Sequence, residues 1–375
     1  MTKEVLIVNN YIIVKGKVTK RIYCPSCFSI ITWDSSSVEK NGMIKCPACG
    51  GAINCSKAEV SFSDVIEDKD IAMVVNGVAY KADQLEEALV SLGENGGYCK
   101  LNSDLTLTKP ISFKEGQATI DIDNHILDCG NNAINVNAGT TLIIEGKQEG
   151  KITGSGDYVI RIDNHSSLIM NSGKIEAAKW GIDVVNKSKA TINGGEIQAR
   201  EACLVPSSYS SVIINDGELS SKDNFVIGVS GAKEESQKTK FITINGGTII
   251  SKKPITVGYI SCGIYSPSAT KIVLNGGKII SEDGCGILMR AGNVECNGTI
   301  IEAKGNSEGW VGDLKQVIKA DGIAYDSKAN YPDKDTLKLT INKNAKITSE
   351  TAQRIGTYLA EGDTANIIDK TKVDE

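Results

Sequence analysis

One pattern of apolar and polar positions recurs along the middle of the chain. In the segment KATINGGEIQA, residues 189–199, alternating apolar residues flank an asparagine that is followed by two glycines. This alternation predicts a strand on each side of a tight turn, in which glycine supplies a positive φ. Close copies occur at 211–221, 241–251 and 271–281, and weaker ones at 167–177 and 294–303.

The asparagines of these copies are regularly spaced, with separations of 22, 22, 30, 30 and 22 residues. A period of about 20 to 30 residues is typical of a solenoid, in which each repeat buries its apolar face only against its neighbours. In such a stack the asparagine side chains would lie one above another and bond along the axis, which we state as a hypothesis. They are Asn171, Asn193, Asn215, Asn245, Asn275 and Asn297.

A second apolar phrase lies between the copies of the first. It is WGIDVV at Trp180, CGIYSP at Cys262, CGILMR at Cys285 and DGIAYD at Asp321. From the glycine of this phrase to the next repeat asparagine there are 11 or 12 residues. This steady offset predicts at least two strands per coil, as in a parallel β-helix. YVIRID at 158, EACLVP at 201 and FVIGVS at 225 occupy the corresponding places.

Residues 82–113 predict a helix before the first strands. Asp83 followed by Glu86 indicates a capping box at its start, and Gly93 offers a stop. The apolar residues spaced to form one helix face are Leu85, Ala88, Leu89 and Leu92.

From this point the chain resembles the pectin-lyase-like right-handed parallel β-helix superfamily. The residues that carry the resemblance are the helix, Gly96-Gly97, the step Lys109-Pro110-Ile111, and the segment IDIDNHILDCG at 120–130, which is similar to a first full coil. The resemblance covers about residues 82–365 and implies about nine coils, a stack about 45 Å long. It is nearly silent on function because this fold hosts many activities.

Composition excludes several classes of protein. The chain has 375 residues, only 5% aromatic residues and a net charge of −5, without the basic block of a nucleic-acid binder. We expect no membrane span and no signal peptide. Eleven cysteines, most of them scattered singly, favour small buried thiols in a reducing cytosol over a disulfide framework.

Four cysteines near the N-terminus carry the most specific site signal. Cys24 and Cys27 form one C-x-x-C pair, and Cys46 and Cys49 form another, with 18 residues between the pairs. This spacing matches a four-thiolate zinc site and resembles a zinc ribbon, in which the Zn²⁺ is structural. Redox pairs or two disulfides are the alternative, and Cys55 lies just outside the pattern. We expect the intervening sequence to form a hairpin that turns at Asn41-Gly42.

The sequence does not predict catalysis. Polygalacturonase-type relatives carry D-D and G-H-G motifs that this chain lacks, and we expect Asp183, Glu196 and Glu218 to belong to a solvated face. The two histidines, His125 and His165, both follow Asp-Asn and are expected in turns. Trp180 and Trp310 are candidate contacts for a glycan or a protein partner, with core packing as the alternative.

These inferences combine into an all-β protein: a zinc-ribbon docking module at 1–58, connecting strands at 59–81, and a helix-capped parallel β-helix with a C-terminal tail at 82–375. The chain is similar to bacteriophage capsid-decoration or appendage proteins, made in the host cytoplasm. We expect a non-enzymatic virion protein anchored by its ribbon to other virion proteins, with the major capsid protein as partner. A tail or baseplate appendage that binds host-surface glycans, or a polysaccharide-cleaving enzyme, are the alternatives. No nucleic acid or membrane partner is expected.

Overall fold

The structure is a computed structural model, and it describes most of the chain after residue 69. The described residues are 4–8, 11–15, 20–23, 30–33, 43–46, 49–54, 61–63, 70–147, 149–254, 258–306, 308–310 and 316–371. No helix among these residues is long and apolar enough to cross a membrane.

The body of the protein is a right-handed parallel β-helix. Each coil contributes one strand to each of three parallel sheets, which we name the first, second and third sheet in chain order. The second and third sheets have ten strands each, so there are ten coils where the sequence predicted about nine. The extra coil is residues 97–113, which precedes the segment 120–130 that we interpreted as the first one, and it lacks the repeated phrase.

The strands of the first sheet are Gly97–Leu101, Gln117–Asp121, Thr141–Glu145, Ser167–Met170, Lys189–Ile192, Ser211–Ile214, Lys240–Ile244, Thr270–Leu274, Asn293–Cys296, Lys338–Ile341 and Ile367–Asp369. Those of the second sheet are Leu105–Thr106, Ile126–Asp128, Lys151–Gly154, Lys174–Ala177, Glu196–Ala199, Glu218–Ser221, Thr248–Ser251, Lys278–Ser281, Ile300–Ala303 and Lys346–Ser349. Those of the third sheet are Ile111–Phe113, Ile134–Val136, Tyr158–Ile162, Trp180–Val184, Ala202–Pro206, Phe225–Gly228, Cys262–Ser266, Cys285–Met289, Ile323–Asp326 and Ile355–Tyr358.

Both sequence phrases are confirmed as units of this architecture. The first phrase supplies a strand of the first sheet, a turn at its asparagine, and a strand of the second sheet. The second phrase supplies the strand of the third sheet in every coil where it was recognised. One continuous cluster of buried, mostly aliphatic side chains fills the β-helix, from Ala72 to Ile347. The single cysteines predicted to be buried all lie in the interior or under loops: Cys99, Cys129, Cys203, Cys262, Cys285 and Cys296.

The asparagine ladder is also confirmed. The side-chain Nδ2 of each repeat asparagine donates to Oδ1 of the asparagine one coil earlier, at 2.8–2.9 Å. The ladder begins with Asn171, which donates to Glu145 at 3.2 Å, and it ends with Asn342, which donates to Asn297 at 2.5 Å. It runs along the outside of the corner between the first and second sheets.

The helix α1, Leu85–Asn95, lies against the first coil and buries the predicted apolar face. Its ends differ from the prediction. The backbone N–H of Lys81 donates to the side chain of Gln84 at 3.1 Å, so Gln84 replaces Glu86 in the cap. The helix continues past Gly93. This position requires glycine because of packing, since a Cβ there would lie 2.4 Å from the carbonyl oxygen of Ser112. Gly96, at φ +67°, ends the helix instead.

Before α1, the described strands pair in antiparallel fashion. Glu4–Val8, Tyr11–Lys15, Lys20–Tyr23, Ile30–Trp33 and Ser61–Ser63 form one sheet, Met43–Lys45 pairs with Ala52–Asn54, and the hairpin Met73–Val75 with Val78–Tyr80 extends the first sheet. The predicted hairpin turn at Asn41-Gly42 lies outside the described residues. Among the described strands, Ile30–Trp33 pairs with Lys20–Tyr23, and Met43–Lys45 pairs with Ala52–Asn54.

Two kinds of long connection depart from the regular coils. The connection at 229–239 contains the 3₁₀ turn Lys233–Glu235, and the one at 327–337 contains the 3₁₀ turn Lys334–Thr336. Both lead from the third sheet to the first and stand on the same side of the helix. A further long connection, after residue 304, leads from the second sheet to the third, and its described parts pair as Glu308–Gly309 with Ile318–Lys319. Both Asp-Asn-His segments lie in turns, as predicted, but at different corners of the helix.

Candidate functional site

The outer face of the third sheet carries a cleft of about 470 Å³. The sheet strand Phe225–Gly228 forms its base together with Val205, and connection 229–239 forms one wall. We call this the aromatic cleft, because four aromatic side chains line it. Its lining residues are Trp180, Val205, Asn224, Phe225, Gly228, Val229, Ser230, Gly231, Ala232, Tyr265 and Tyr331.

The rings of Phe225 and Tyr265 are stacked at the base of the cleft. Their centroids are 5.3 Å apart and their planes differ by 22°. Gly228 makes this arrangement possible, since a Cβ at that position would lie 1.9 Å from the Phe225 ring. Position 228 therefore requires glycine because of close packing and not because of its backbone conformation.

A buried ion pair lies behind the aromatic cleft. Arg290 and Asp326 are both fully buried, and the guanidinium Nε donates to the carboxylate at 2.8 Å. Arg290 Nη1 also donates to the Tyr265 hydroxyl at 3.0 Å, and that hydroxyl is 2.9 Å from the hydroxyl of Tyr331. These bonds fix the positions of two cleft aromatics. Burial raises the pKa of Tyr265, and the positive charge of Arg290 opposes that effect only in part.

A buried lysine holds the wall of the cleft. Lys240 has no exposed surface, and its ammonium donates to the carbonyl oxygen of Glu235 at 2.7 Å and to Ser268 Oγ at 3.0 Å. Ser268 Oγ in turn donates to the carbonyl of Ser230, a cleft residue, at 2.6 Å. Burial lowers the pKa of Lys240, while the Glu235 carboxylate opposes that effect.

Asp333 connects the two long connections to each other. Its carboxylate accepts hydrogen bonds from Ser236 Oγ at 2.5 Å, from the backbone N–H of Ala269 at 2.9 Å and from that of Gln237 at 3.2 Å. These donors hold the pKa of Asp333 below its usual value, against the effect of burial. The wall is thus preorganised by charged groups that face away from the cleft.

Trp180 lies at one end of the cleft, as a half-buried side chain. Its indole Nε1 donates to Glu201 at 3.2 Å, and the ammonium of Lys179 lies 5.0 Å from the ring centroid. Trp310 does not share this site. It packs against Tyr259, with ring centroids 5.7 Å apart, and covers Gly258. The two tryptophans predicted as contacts therefore occupy separate places.

Asp183 was expected on a solvated face, and that expectation is wrong. It is 5% exposed and accepts a hydrogen bond from Arg161 Nη1 at 2.7 Å. It pairs in register with Val205, which lines the cleft. Burial raises the pKa of Asp183 to about 6, and Arg161 only partly offsets this because the guanidinium also binds Asp163.

One polar atom of the cleft lacks a partner. The side-chain Oδ1 of Asn224 is buried, and no described residue donates a hydrogen bond to it. A buried acceptor in this state costs about 1–3 kcal/mol. None of the described residues that line the cleft carries a charge.

Half of the predicted zinc site falls outside the described residues. Cys24 and Cys27 are not among them, whereas Cys46 is buried and Cys49 is exposed. The turn between these two cysteines is closed by two backbone bonds of 2.8 Å, from Cys46 N–H to Gly51 and from Gly50 N–H to Cys46. Gly50 has φ +72°. Within the described chain no three metal-ligating side chains lie together.

Four residues of the aromatic cleft were not predicted as site residues: Asn224, Phe225, Tyr265 and Tyr331. Phe225 and Tyr265 belong to the second sequence phrase, so their outward positions could have been found by aligning that phrase on Trp180.

No family model matches the chain, and comparisons with curated proteins and with solved structures find no match either.

Proposed function

We propose that the protein is a non-enzymatic structural protein of a virion, which decorates the capsid surface with a projecting β-helix. The observation that supports this best is the single hydrophobic cluster that runs unbroken through all ten coils. Each coil is bound to the next by three parallel ladders, and the coils from Asn171 to Asn342 are also joined by the asparagine ladder. Such a body is stiff along its axis and can present its outer faces at a fixed distance from an anchor.

The N-terminal module is the proposed anchor. Cys24, Cys27, Cys46 and Cys49 would hold one structural Zn²⁺, which supplies folding free energy to a segment too small for a core of its own. The closed turn at Cys46–Gly51 fits one half of such a site. The major capsid protein is the proposed partner. The relation to pectin-lyase-like proteins and to phage appendages is part of this proposal.

The proposal can be tested by co-sedimentation of the full chain with particles purified from the native source. The intact chain should sediment with the particles, and a Cys24→Ser/Cys46→Ser chain should stay in solution while circular dichroism shows an intact β-helix. Cys55→Ser is the matched control, since it removes a cysteine outside the pattern. Failure of the intact chain to sediment with any particle would overturn the virion role.

A polysaccharide-cleaving enzyme is the second candidate, and Asp183 is the observation that favours it. A carboxyl with a pKa of about 6 can hold a proton near neutral pH, as a general acid must. Glycoside hydrolysis also needs a second carboxylate at a defined separation. Release of reducing ends from a polysaccharide panel, abolished by Asp183→Asn, would establish this candidate against the non-enzymatic one.

A further inference from the structure

We propose that Cys262 and Cys285 form a peroxide-sensitive dithiol site, in which oxidation joins the two side chains as a disulfide between neighbouring coils. The proposal concerns a chemical modification of the β-helix and is independent of the virion role. Three observations carry it: the two cysteines are partners in the register of the third sheet, their thiols contact each other, and apolar side chains enclose them.

The two cysteines occupy the same place in consecutive copies of the second sequence phrase. Each precedes a Gly-Ile pair, and Cys262 pairs with Cys285 in parallel register. Corresponding atoms of adjacent strands are about 4.8 Å apart, and side chains that pair in register lie on the same face of the sheet. A disulfide needs Cα atoms about 4.4–6.8 Å apart, so the backbone already meets this requirement.

The register also indicates that the bond would be readily reversible. It places the two Cβ atoms about 4.8 Å apart as well, whereas a relaxed disulfide has them about 3.5–4.5 Å apart. Closing the bridge would therefore draw the two coils together against closely packed neighbours. Disulfides that form under such strain are more easily reduced than relaxed ones, and they are typical of regulatory bridges rather than structural ones.

The contact between the thiols favours a product without charge. Their mutual hydrogen bond raises the pKa of Cys285 well above its usual value, burial and the nearby Asp321 act in the same direction, and Arg290 opposes them only in part. A disulfide carries no charge. A singly charged soft metal ion held by two thiolates would leave a negative charge buried beside Asp321, which is unfavourable.

The surroundings of the pair select a small oxidant. Both cysteines have no exposed surface, and they belong to a cluster on the outer face of the third sheet. A bulky disulfide such as oxidised glutathione could not reach the buried sulfurs in the folded protein, whereas hydrogen peroxide is small and uncharged. The other buried members of this cluster are Ile260, Tyr265, Leu288, Ile318 and Ala324.

The oxidation proceeds in two balanced steps. The sulfur of one cysteine attacks hydrogen peroxide, an S–O bond forms, the O–O bond breaks, and one water leaves with the thiol proton, which gives a sulfenic acid. The sulfur of the second cysteine then attacks the sulfenic sulfur, the S–S bond forms, the S–O bond breaks, and a second water leaves. The two thiols lose two electrons and two protons, and the peroxide is reduced to two waters.

The test is incubation of the folded full chain with hydrogen peroxide, followed by blocking of free thiols with N-ethylmaleimide in urea and tryptic digestion without reductant. Trypsin cleaves after Lys271 and Lys278, between the two cysteines, so a bridge gives two peptides joined through Cys262 and Cys285. Mass spectrometry should find this linked pair at least ten-fold more abundant after peroxide than before, and dithiothreitol should remove it.

Cys203→Ala is the matched control. Cys203 is also a buried thiol of the third sheet, but it hydrogen-bonds to the backbone carbonyl oxygens of Ile197 and Ser220, at 3.2 and 3.1 Å. This variant should form the linked pair as the parent chain does. Cys262→Ala and Cys285→Ala should each leave the remaining cysteine as a sulfenic acid that dimedone labels in urea, with unchanged circular dichroism before oxidation.

Absence of the linked pair from the peroxide-treated parent chain, or its formation only after unfolding in urea, would overturn the proposal. Dimedone labelling of either cysteine in the parent chain as strong as in the single variants would also overturn it, because the neighbouring thiol would then not resolve the sulfenic acid. None of these results would affect the co-sedimentation test of the virion role.

Discussion

The side chain of Asn245 donates to Asn215 at 2.8 Å and accepts from Asn275 at 2.9 Å, so one residue links three consecutive coils. The connections in these coils differ in length, since 30 residues separate these asparagines where 22 separate others. The ladder nevertheless continues without a break. The coils therefore stay in register at this corner even though the connections elsewhere in them differ in length.

We predict that Asn245→Ala lowers the free energy of unfolding by about 1–3 kcal/mol, because it removes two hydrogen bonds that each contribute about 0.5–1.5 kcal/mol. Urea denaturation followed by circular dichroism measures this. Asn124→Ala is the control, since Asn124 is an exposed turn residue outside the ladder, and it should change stability by less than about 0.5 kcal/mol. Equal effects of the two substitutions would show that the ladder does not stabilise the stack.

For Gly93→Ala, helix propensity and packing predict opposite changes in the stability of the protein. Alanine is favoured over glycine inside a helix by about 1 kcal/mol, so propensity alone predicts a more stable protein. The structure predicts the opposite, because the new Cβ would lie 2.4 Å from the carbonyl oxygen of Ser112 and α1 would have to move away from the first coil.

We expect Gly93→Ala to lower the melting temperature, measured by differential scanning calorimetry. Glu94→Ala, at the next and exposed position of α1, should leave it nearly unchanged. A melting temperature raised by Gly93→Ala would mean that α1 does not approach the third sheet so closely.

The sequence predicts the structural elements that repeat along the chain, but not the contacts that form only once between residues distant in sequence. The strands, turns and ladder follow from phrases whose period can be read along the chain, and the helix face follows from its own spacing. The wall of the aromatic cleft depends on Ser236 meeting Asp333, which are 97 residues apart. The buried position of Asp183 depends on Arg161 in the preceding coil. Neither contact has a local signal, because each joins residues that are 22 or more positions apart and occurs only once.

Zinc removal should affect one part of the chain. We predict one Zn²⁺ per chain by plasma mass spectrometry, lost in Cys46→Ser and retained in Cys55→Ser. Chelation should change the hydrogen exchange of residues 1–58, and the β-helix should keep its protection because its core is independent of those cysteines. Zinc retained in full by Cys46→Ser would contradict the four-thiolate site.

The protonation of Asp183 should make stability fall as pH rises. Its pKa in the folded protein is about 6, above the ordinary value of about 3.9 expected in the unfolded chain. Between these two values the folded state holds a proton that the unfolded state releases, so the stabilisation is present at pH 4 and is lost as pH rises through 6.

We predict that the stability difference between the parent chain and Asp183→Asn changes by about 2 kcal/mol between pH 4.5 and 7.0, with the parent losing more. Urea denaturation of both proteins at the two pH values gives this double difference and cancels the titration of all other groups. Asp369→Asn is the control and should show no change between the two pH values: hydrogen bonds from Arg354 and Thr371 lower the pKa of Asp369 to about 2, so its contribution is lost only as pH falls from 4 toward 2. Parallel pH profiles for the parent and Asp183→Asn would show that Asp183 is ionised throughout, and the general-acid role considered for it would then have no basis.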